Sequence, residues 1–193
     1  DSGLGGLSVL AALVEALPRA DFSYYADTAH VPYGNKSDAQ IEGRVLAIGE
    51  HLAAAGCSLL VVACNTATAT AVQALRAAHP GIPVVGVEPG IKPAAQDTKS
   101  GRIAVLATEA TAKSTRLRRL IADHAAGVEV LIEPCPGWAT HVEMLQLEDP
   151  ALAADVRARV EPLLELGVDR IVLGCTHYSF LAPLLAEVIG NRA

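Results

Sequence analysis

Ser58-Leu59-Leu60-Val61-Val62-Ala63-Cys64-Asn65-Thr66 is the stretch on which the fold turns. Its first six residues are almost wholly apolar, the pattern of a strand buried on both faces. The composition then becomes Ala-rich, which predicts a helix over 66–79. A similar unit returns as Val172-Leu173-Gly174-Cys175-Thr176-His177. Each copy delivers a cysteine and a small polar residue from an apolar strand to the mouth of a helical segment. Ligands of open α/β sheets bind beyond the carboxyl ends of the strands. Two such units facing each other would therefore set one thiol on each side of a shared cleft.

Working outward, further apolar runs predict strands over 58–63, 83–87, 102–107, 128–132 and 170–173. Helices are expected over 109–124, 152–166 and 180–189. Strands alternating with helices call for parallel pairing and right-handed crossovers. The expected class is α/β, with two pseudo-symmetric lobes, each a mostly parallel sheet flanked by helices, and the site in the cleft between them. Glu88-Pro89-Gly90 breaks the chain direction and marks the join. The expected lobes are 1–89, carrying Cys64, and 90–193, carrying Cys175. The opening Asp1-Ser2-Gly3-Leu4-Gly5-Gly6-Leu7 is a glycine-rich turn without the third glycine of a dinucleotide fingerprint. Its Asp and Ser suit an ammonium group and a neighbouring thiol. A turn of this kind follows a strand, and none precedes Asp1. Pro32-Tyr33-Gly34 reads as a turn with Tyr33 packed against it.

Composition narrows the function classes. The 193 residues are enough for two small lobes with apolar cores. Hydrophobic residues make up 51% and aromatics only 4%, so the core is expected to be aliphatic. The net charge is −6 and no basic stripe runs along the chain, which argues against nucleic acid as a partner. The densest basic stretch, Arg116-Leu117-Arg118-Arg119, reads as a solvated helix face. No apolar run approaches the ~20 residues of a membrane span, and no signal-peptide pattern is visible. Cys57, Cys64, Cys135 and Cys175 contain no C-x-x-C pair, which points to reduced thiols and a cytoplasmic setting.

A helix mouth presents free N–H groups and a positive dipole end, which favour thiolate over thiol. The same N–H groups, with Asn65, Thr66 and Thr176, suit a substrate carboxylate. A single cysteine at a strand end is commonly a small buried hydrophobe. Two in matching contexts, each followed by carboxylate-binding residues, read as chemistry, whereas Cys57 and Cys135 read as structural. His177, two residues beyond Cys175, suits a proton acceptor or an orienting acid. Zinc would need four ligands, and no second Cys/His cluster has ligand spacing, so no metal is expected.

Taken together, these segments closely resemble the glutamate racemases of bacterial cell-wall synthesis. The matching stretches are Asp1 through Leu7, Asp27-Thr28-Ala29 with Val31-Pro32-Tyr33-Gly34, and Ala63-Cys64-Asn65-Thr66-Ala67. Gly86-Val87-Glu88-Pro89-Gly90, Ala107-Thr108-Glu109-Ala110-Thr111 and Leu173-Gly174-Cys175-Thr176-His177-Tyr178 complete the ordered set. The resemblance implies racemisation of free glutamate without pyridoxal phosphate, metal or any other cofactor. It implies that Cys64 deprotonates D-glutamate with help from Asp1, and that Cys175 deprotonates L-glutamate with help from His177. Substrate contacts would fall to Asp1, Ser2, Tyr33, Gly34, Asn65, Thr66, Thr176 and His177, with Thr108 and Thr111 as further carboxylate contacts. Asp27 and Glu143 would be auxiliary acids. The family often forms homodimers.

The resemblance also implies a strand ahead of Asp1 and a segment beyond Gly190 returning to the first lobe. Without that strand, an exposed sheet edge and apolar faces are expected. Three other readings stay open: a racemase of the same group acting on aspartate, hydantoins or malonates; a non-catalytic glutamate-binding protein; and a redox pair of thiols.

Overall fold

Two parallel sheets, one in each half of the chain, carry the architecture of the computed structural model, which describes residues 1–193. In the first, β1 (Leu60–Val62) lies beside β2 (Val84–Gly86), and helix α3 (Asn65–Ala78) makes the crossover. The second has the order β4-β3-β5, with β3 at Arg102–Ala107, β4 at Glu129–Pro134 and β5 at Arg170–Gly174. Leu60 stands opposite Val84, and Ile103 stands opposite both Val130 and Arg170. The α/β class with two lobes is thus what the chain forms.

The central strand shows why. From Ile103 to Ala107 every residue of β3 is 0% exposed. Side chains alternate across a strand, so Ala104 and Leu106 enter one core while Ile103, Val105 and Ala107 enter the other. The first core holds Trp138, Leu152, Val156, Val160 and Leu181. The second holds Ile91, Leu117 and Val172. Burying a side chain of this size contributes about 1.5–3 kcal/mol, which commits this run to a two-sided strand. A separate core in the first lobe gathers Tyr33, Ile41, Val45, Leu60, Val62, Cys64 and Val72.

Several elements differ from the expected ones. The helix expected over 109–124 is two helices, α5 (Glu109–Lys113) and α6 (Thr115–His124). Ser114 divides them: its backbone is extended, its Oγ donates to the Thr111 carbonyl at 2.8 Å, and it accepts from Leu117 N at 3.1 Å. That side chain ends one helix and caps the next. The helix expected over 152–166 begins two residues earlier, at Pro150, with Asp149 as its cap, and ends at Glu165. The segment 180–189 begins inside a 3-10 stretch, Thr176–Leu181, and becomes α-helical only at Ala182–Ile189.

The longest helix, Asp38–Ala54, was not among the expected elements, although Ser37 and Gln40 form a full capping box at its start. Gly43 and Gly49 blur its apolar pattern. Helices also form at Leu7–Ala16, Ile91–Asp97 and Trp138–Glu143.

β1 is shorter than the run over 58–63 because only three of its residues find partners, all on β2. Its other edge faces an apolar groove of about 770 Å³, lined in part by Val9, Leu13, Phe22, Ile48 and Leu59. Asp1 makes the two hydrogen bonds of a parallel bridge with the neighbouring extended segment. Its amino group donates to the Tyr25 carbonyl at 3.0 Å, and its carbonyl accepts from Asp27 N at 3.0 Å. The 3-10 turn Leu4–Gly6 lies against the core of Trp138 and Leu181, on which Leu4 packs.

Candidate active site

Each thiol sits where a parallel strand hands over to a helix. Cys64 follows β1 and is the N-cap of α3, its sulfur accepting from Ala67 N at 3.4 Å. Cys175 follows β5 and opens the 3-10 stretch at Thr176. Both are buried. Burial pushes the Cys175 thiol well above its ordinary range, and the charge of Cys64 adds to this, against the backbone N–H groups of His177 and Tyr178.

Around Cys175 the acid–base partners are explicit. His177 is 2% exposed and places Nδ1 3.7 Å from the Cys175 sulfur. Its Nε2 meets Glu143 Oε1 at 2.5 Å. A carboxylate only accepts, so in the neutral imidazole Nε2 carries the proton and Nδ1 is left as an acceptor facing the thiol. Glu143 Oε1 also accepts from Leu4 N at 2.7 Å, joining the glycine-rich turn to the second lobe. Gly3 makes that approach possible, because a Cβ there would lie 1.8 Å from Glu143 Oε1.

Asp1, expected to assist Cys64, spends its carboxylate on other partners. Its Oδ1 accepts from Gly3 N at 3.1 Å and from the Ser2 hydroxyl at 3.5 Å, and its Oδ2 accepts from Thr176 Oγ1 at 3.2 Å. None of its hydrogen bonds reaches the Cys64 sulfur. Asp1 and Cys64 do line the same groove. Ser2 and Thr176 are buried beside it.

Three hydroxyls stitch the lobes together. Thr66, in the first turn of α3, lies 2.9 Å from Thr108 Oγ1 and 3.1 Å from Thr111 Oγ1. Thr108 caps α5, and its hydroxyl lies 3.1 Å from that of Thr111. Asn65 donates to the Val87 carbonyl at 3.3 Å. Tyr33 donates to Asp27 Oδ2 at 2.7 Å, and Gly34 packs on Thr108. Asp27, 3% exposed, would be raised by burial, but hydrogen bonds from Arg44, Tyr33 and His30 outweigh this and hold it at about 2.

Cys57 and Cys135 stay outside this cluster. Cys57 is half-buried at the edge of the first-lobe core around Ile41 and Leu60, and Cys135 is buried in the second lobe, where burial pushes it up to about 12. No group of three or more His, Cys, Asp and Glu side chains is arranged to hold a metal. Two neighbours escaped the sequence reading. Tyr24 donates to the Gly3 carbonyl at 2.7 Å, and burial, then the charges of Glu143 and Cys64, raise it to about 12. Arg44 grips Asp27. Neither sits in a motif that would single it out.

Residues 4–192 match the Asp/Glu/hydantoin racemase family, and the chain belongs to it. It is 50% identical over 190 residues to the glutamate racemase of Methylococcus capsulatus, covering 98% of this chain and 70% of that protein. Against the glutamate racemase of Pseudomonas aeruginosa it is 48% identical over 189 residues, covering 98% and 71%. The Escherichia coli glutamate racemase in complex with L-glutamate and the activator UDP-MurNAc-ala superposes with a TM-score of 0.88 at 36% identity, over 97% of this chain and 71% of that one. The Francisella tularensis glutamate racemase in complex with D-glutamate gives 0.83 at 26% identity, covering 98% and 71%.

Proposed function

We infer that the chain is an isomerase that interconverts L- and D-glutamate without a cofactor, supplying D-glutamate for peptidoglycan. Family membership with near-half identity to glutamate racemases supports the reaction. The observation that carries the mechanism is the matched placement of Cys64 and Cys175. Each is at the carboxyl end of a parallel strand, one per sheet, beside the bonds that join the lobes. The lobes are taken as 1–89 and 90–193, with Asp1 to Gly6 reaching across to the second.

Burial and the neighbouring charge keep Cys175 as the neutral thiol, so it is the acid when Cys64 is the base. In that direction the Cys64 thiolate takes the α-proton of D-glutamate and becomes a thiol. The Cys175 S–H then protonates the opposite face of the carbanion and becomes the thiolate. The substrate leaves inverted, and the proton inventory of the pair is restored by the reverse passage or by solvent exchange. In the L-to-D direction Cys175 must first lose its proton, and His177 Nδ1, backed by Glu143, is the acceptor in reach. Thr66, Thr108, Thr111, Asn65 and Thr176, with Ser2, Tyr33 and Gly34, offer donors for the substrate carboxylates. Asp1 offers a carboxylate for the ammonium group. Helix-mouth N–H groups stabilise the negative charge that develops on the substrate.

No helix is long and apolar enough to cross a membrane, and a cytoplasmic, homodimeric enzyme acting on a small molecule fits this reading. The test is α-proton exchange into deuterated water with L-glutamate, D-glutamate and L-aspartate. Preference for aspartate overturns the substrate assignment. Cys64→Ser and Cys175→Ser should each abolish racemisation while sparing glutamate binding, and turnover in either variant refutes the two-base mechanism.

A further inference from the structure

Arg44 lies on the Asp38–Ala54 helix and touches neither thiol, yet it holds one end of a relay that finishes at the site. Its guanidinium donates from Nε to Asp27 Oδ2 at 3.0 Å and from Nη2 to Asp27 Oδ1 at 2.8 Å. This is the two-pronged geometry that fits a carboxylate plane. Asp27 Oδ2 also accepts from the Tyr33 hydroxyl at 2.7 Å, and Oδ1 faces His30 Nδ1 at 3.1 Å. Tyr33 shares a core with Cys64. The next residue, Gly34, is pressed so closely on the second lobe that a Cβ there would lie 2.9 Å from Thr108 Cβ. Thr108 in turn bonds Thr66 across the junction.

Removing the guanidinium would leave a buried carboxylate with a phenol and a half-exposed imidazole for partners. A charge so placed turns toward water, and Tyr33 is tied to it. We propose that Arg44 is a positioning residue for the racemisation, locking Asp27 so that Tyr33 and Gly34 are held against Cys64 and Thr108. The assignment rests on the glutamate reading given above. It separates Arg44 from an ordinary surface cation, since most exposed ion pairs contribute little and this one orients a buried acceptor shared with a site residue.

The experiment is a double-mutant cycle on the 193-residue chain with Arg44→Lys, Tyr33→Phe and the double variant. Lysine keeps the charge but cannot span both carboxylate oxygens. Arg44→Lys should raise the KM for glutamate about tenfold, with kcat held within about threefold, as loss of uniform binding requires. Tyr33→Phe should do the same, and the double variant should be no worse than the poorer single one, because both changes cut one relay. A readout independent of turnover is iodoacetamide alkylation followed by mass spectrometry. Cys64 should react about tenfold faster in Arg44→Lys and no faster still in the double variant, while Cys175 changes less than about twofold.

Additive effects on KM or on Cys64 reactivity overturn the assignment, as does an unchanged Arg44→Lys. If the parent chain racemises nothing, the functional reading falls and the alkylation cycle still decides the role of Arg44. Should Arg44→Lys fail to fold, Arg44→Gln, which retains N–H donors, carries the same comparison.

Discussion

Replacing Glu143 by glutamine removes one charge from the site and almost nothing else. Its Oε1 accepts from His177 Nε2 at 2.5 Å and from Leu4 N at 2.7 Å. Hydrogen bonds to a charged acceptor contribute about 1.5–3 kcal/mol against about 0.5–1.5 for neutral ones. With two such bonds weakened, and part of the loss felt equally by ground and transition states, about 1–2 kcal/mol should appear in the barrier. That predicts a fall in kcat/KM of about 5- to 30-fold. The enantiomers have equal free energy, so the fall must be the same for L- and D-glutamate. The isotope effects separate the two faces. Weakening the His177 acceptor makes transfer at Cys175 more nearly rate-limiting. The α-deuterium effect on kcat/KM should therefore rise for L-glutamate, whose proton Cys175 takes, and fall for D-glutamate, whose proton goes to Cys64. Initial rates by circular dichroism with α-deuterated enantiomers provide the assay. Unchanged isotope effects, in a variant that melts like the parent, would refute the assignment of His177 and Glu143 to Cys175.

Gly3→Ala should mimic that loss and destabilise the chain by about 1–3 kcal/mol in a denaturant titration, as overpacking does, because the new methyl collides with Glu143 Oε1. Asp27 titrates at about 2 in the folded chain, against about 3.9 when unfolded. Its folded value is depressed, so its contribution of at most about 2.6 kcal/mol is present above pH ~4 and fades as the pH falls through ~2. Asp27→Asn should flatten that part of the acid-denaturation curve; an unchanged curve contradicts the buried ion pair. Among the thiols, Cys57 should react first with a bulky maleimide, being the one that is not fully buried, and Cys135 should be among the slowest, since burial raises it to about 12. Peptide mapping of the adducts over time checks the order. Leu106→Ala, at a 0% exposed position on the central strand, should cost about 2–5 kcal/mol, read as a shifted denaturant midpoint.

Much of the fold was legible because strand period, apolar runs and parallel alternation are local statements. The apolarity of the run over 102–107 predicts a strand, and it is the central strand with both faces buried. Periodicity does not announce the Asp38–Ala54 helix, although its capping box stands in the sequence, because glycines interrupt the apolar pattern. Ser114 divided a predicted helix by a side-chain choice, capping α6 and closing α5, that composition does not announce. Tyr24 and Arg44 act at the site from ordinary surroundings, and only their partners reveal them.

By itself the sequence determined the α/β class, the two strand-to-helix units and the two thiols at their mouths, since each depends on neighbours within a dozen residues. Tertiary structure decided the partners. It set Asp1 on Thr176, 175 residues away, with no hydrogen bond to Cys64. It joined Glu143 to His177 and Leu4, and linked Thr66 to Thr108 and Thr111. The physical reason is the range of the interactions. Periodicity and capping are settled by short-range sterics and burial, whereas a hydrogen bond between lobes exists only after both cores have packed and brought their loops within 3 Å or so of each other.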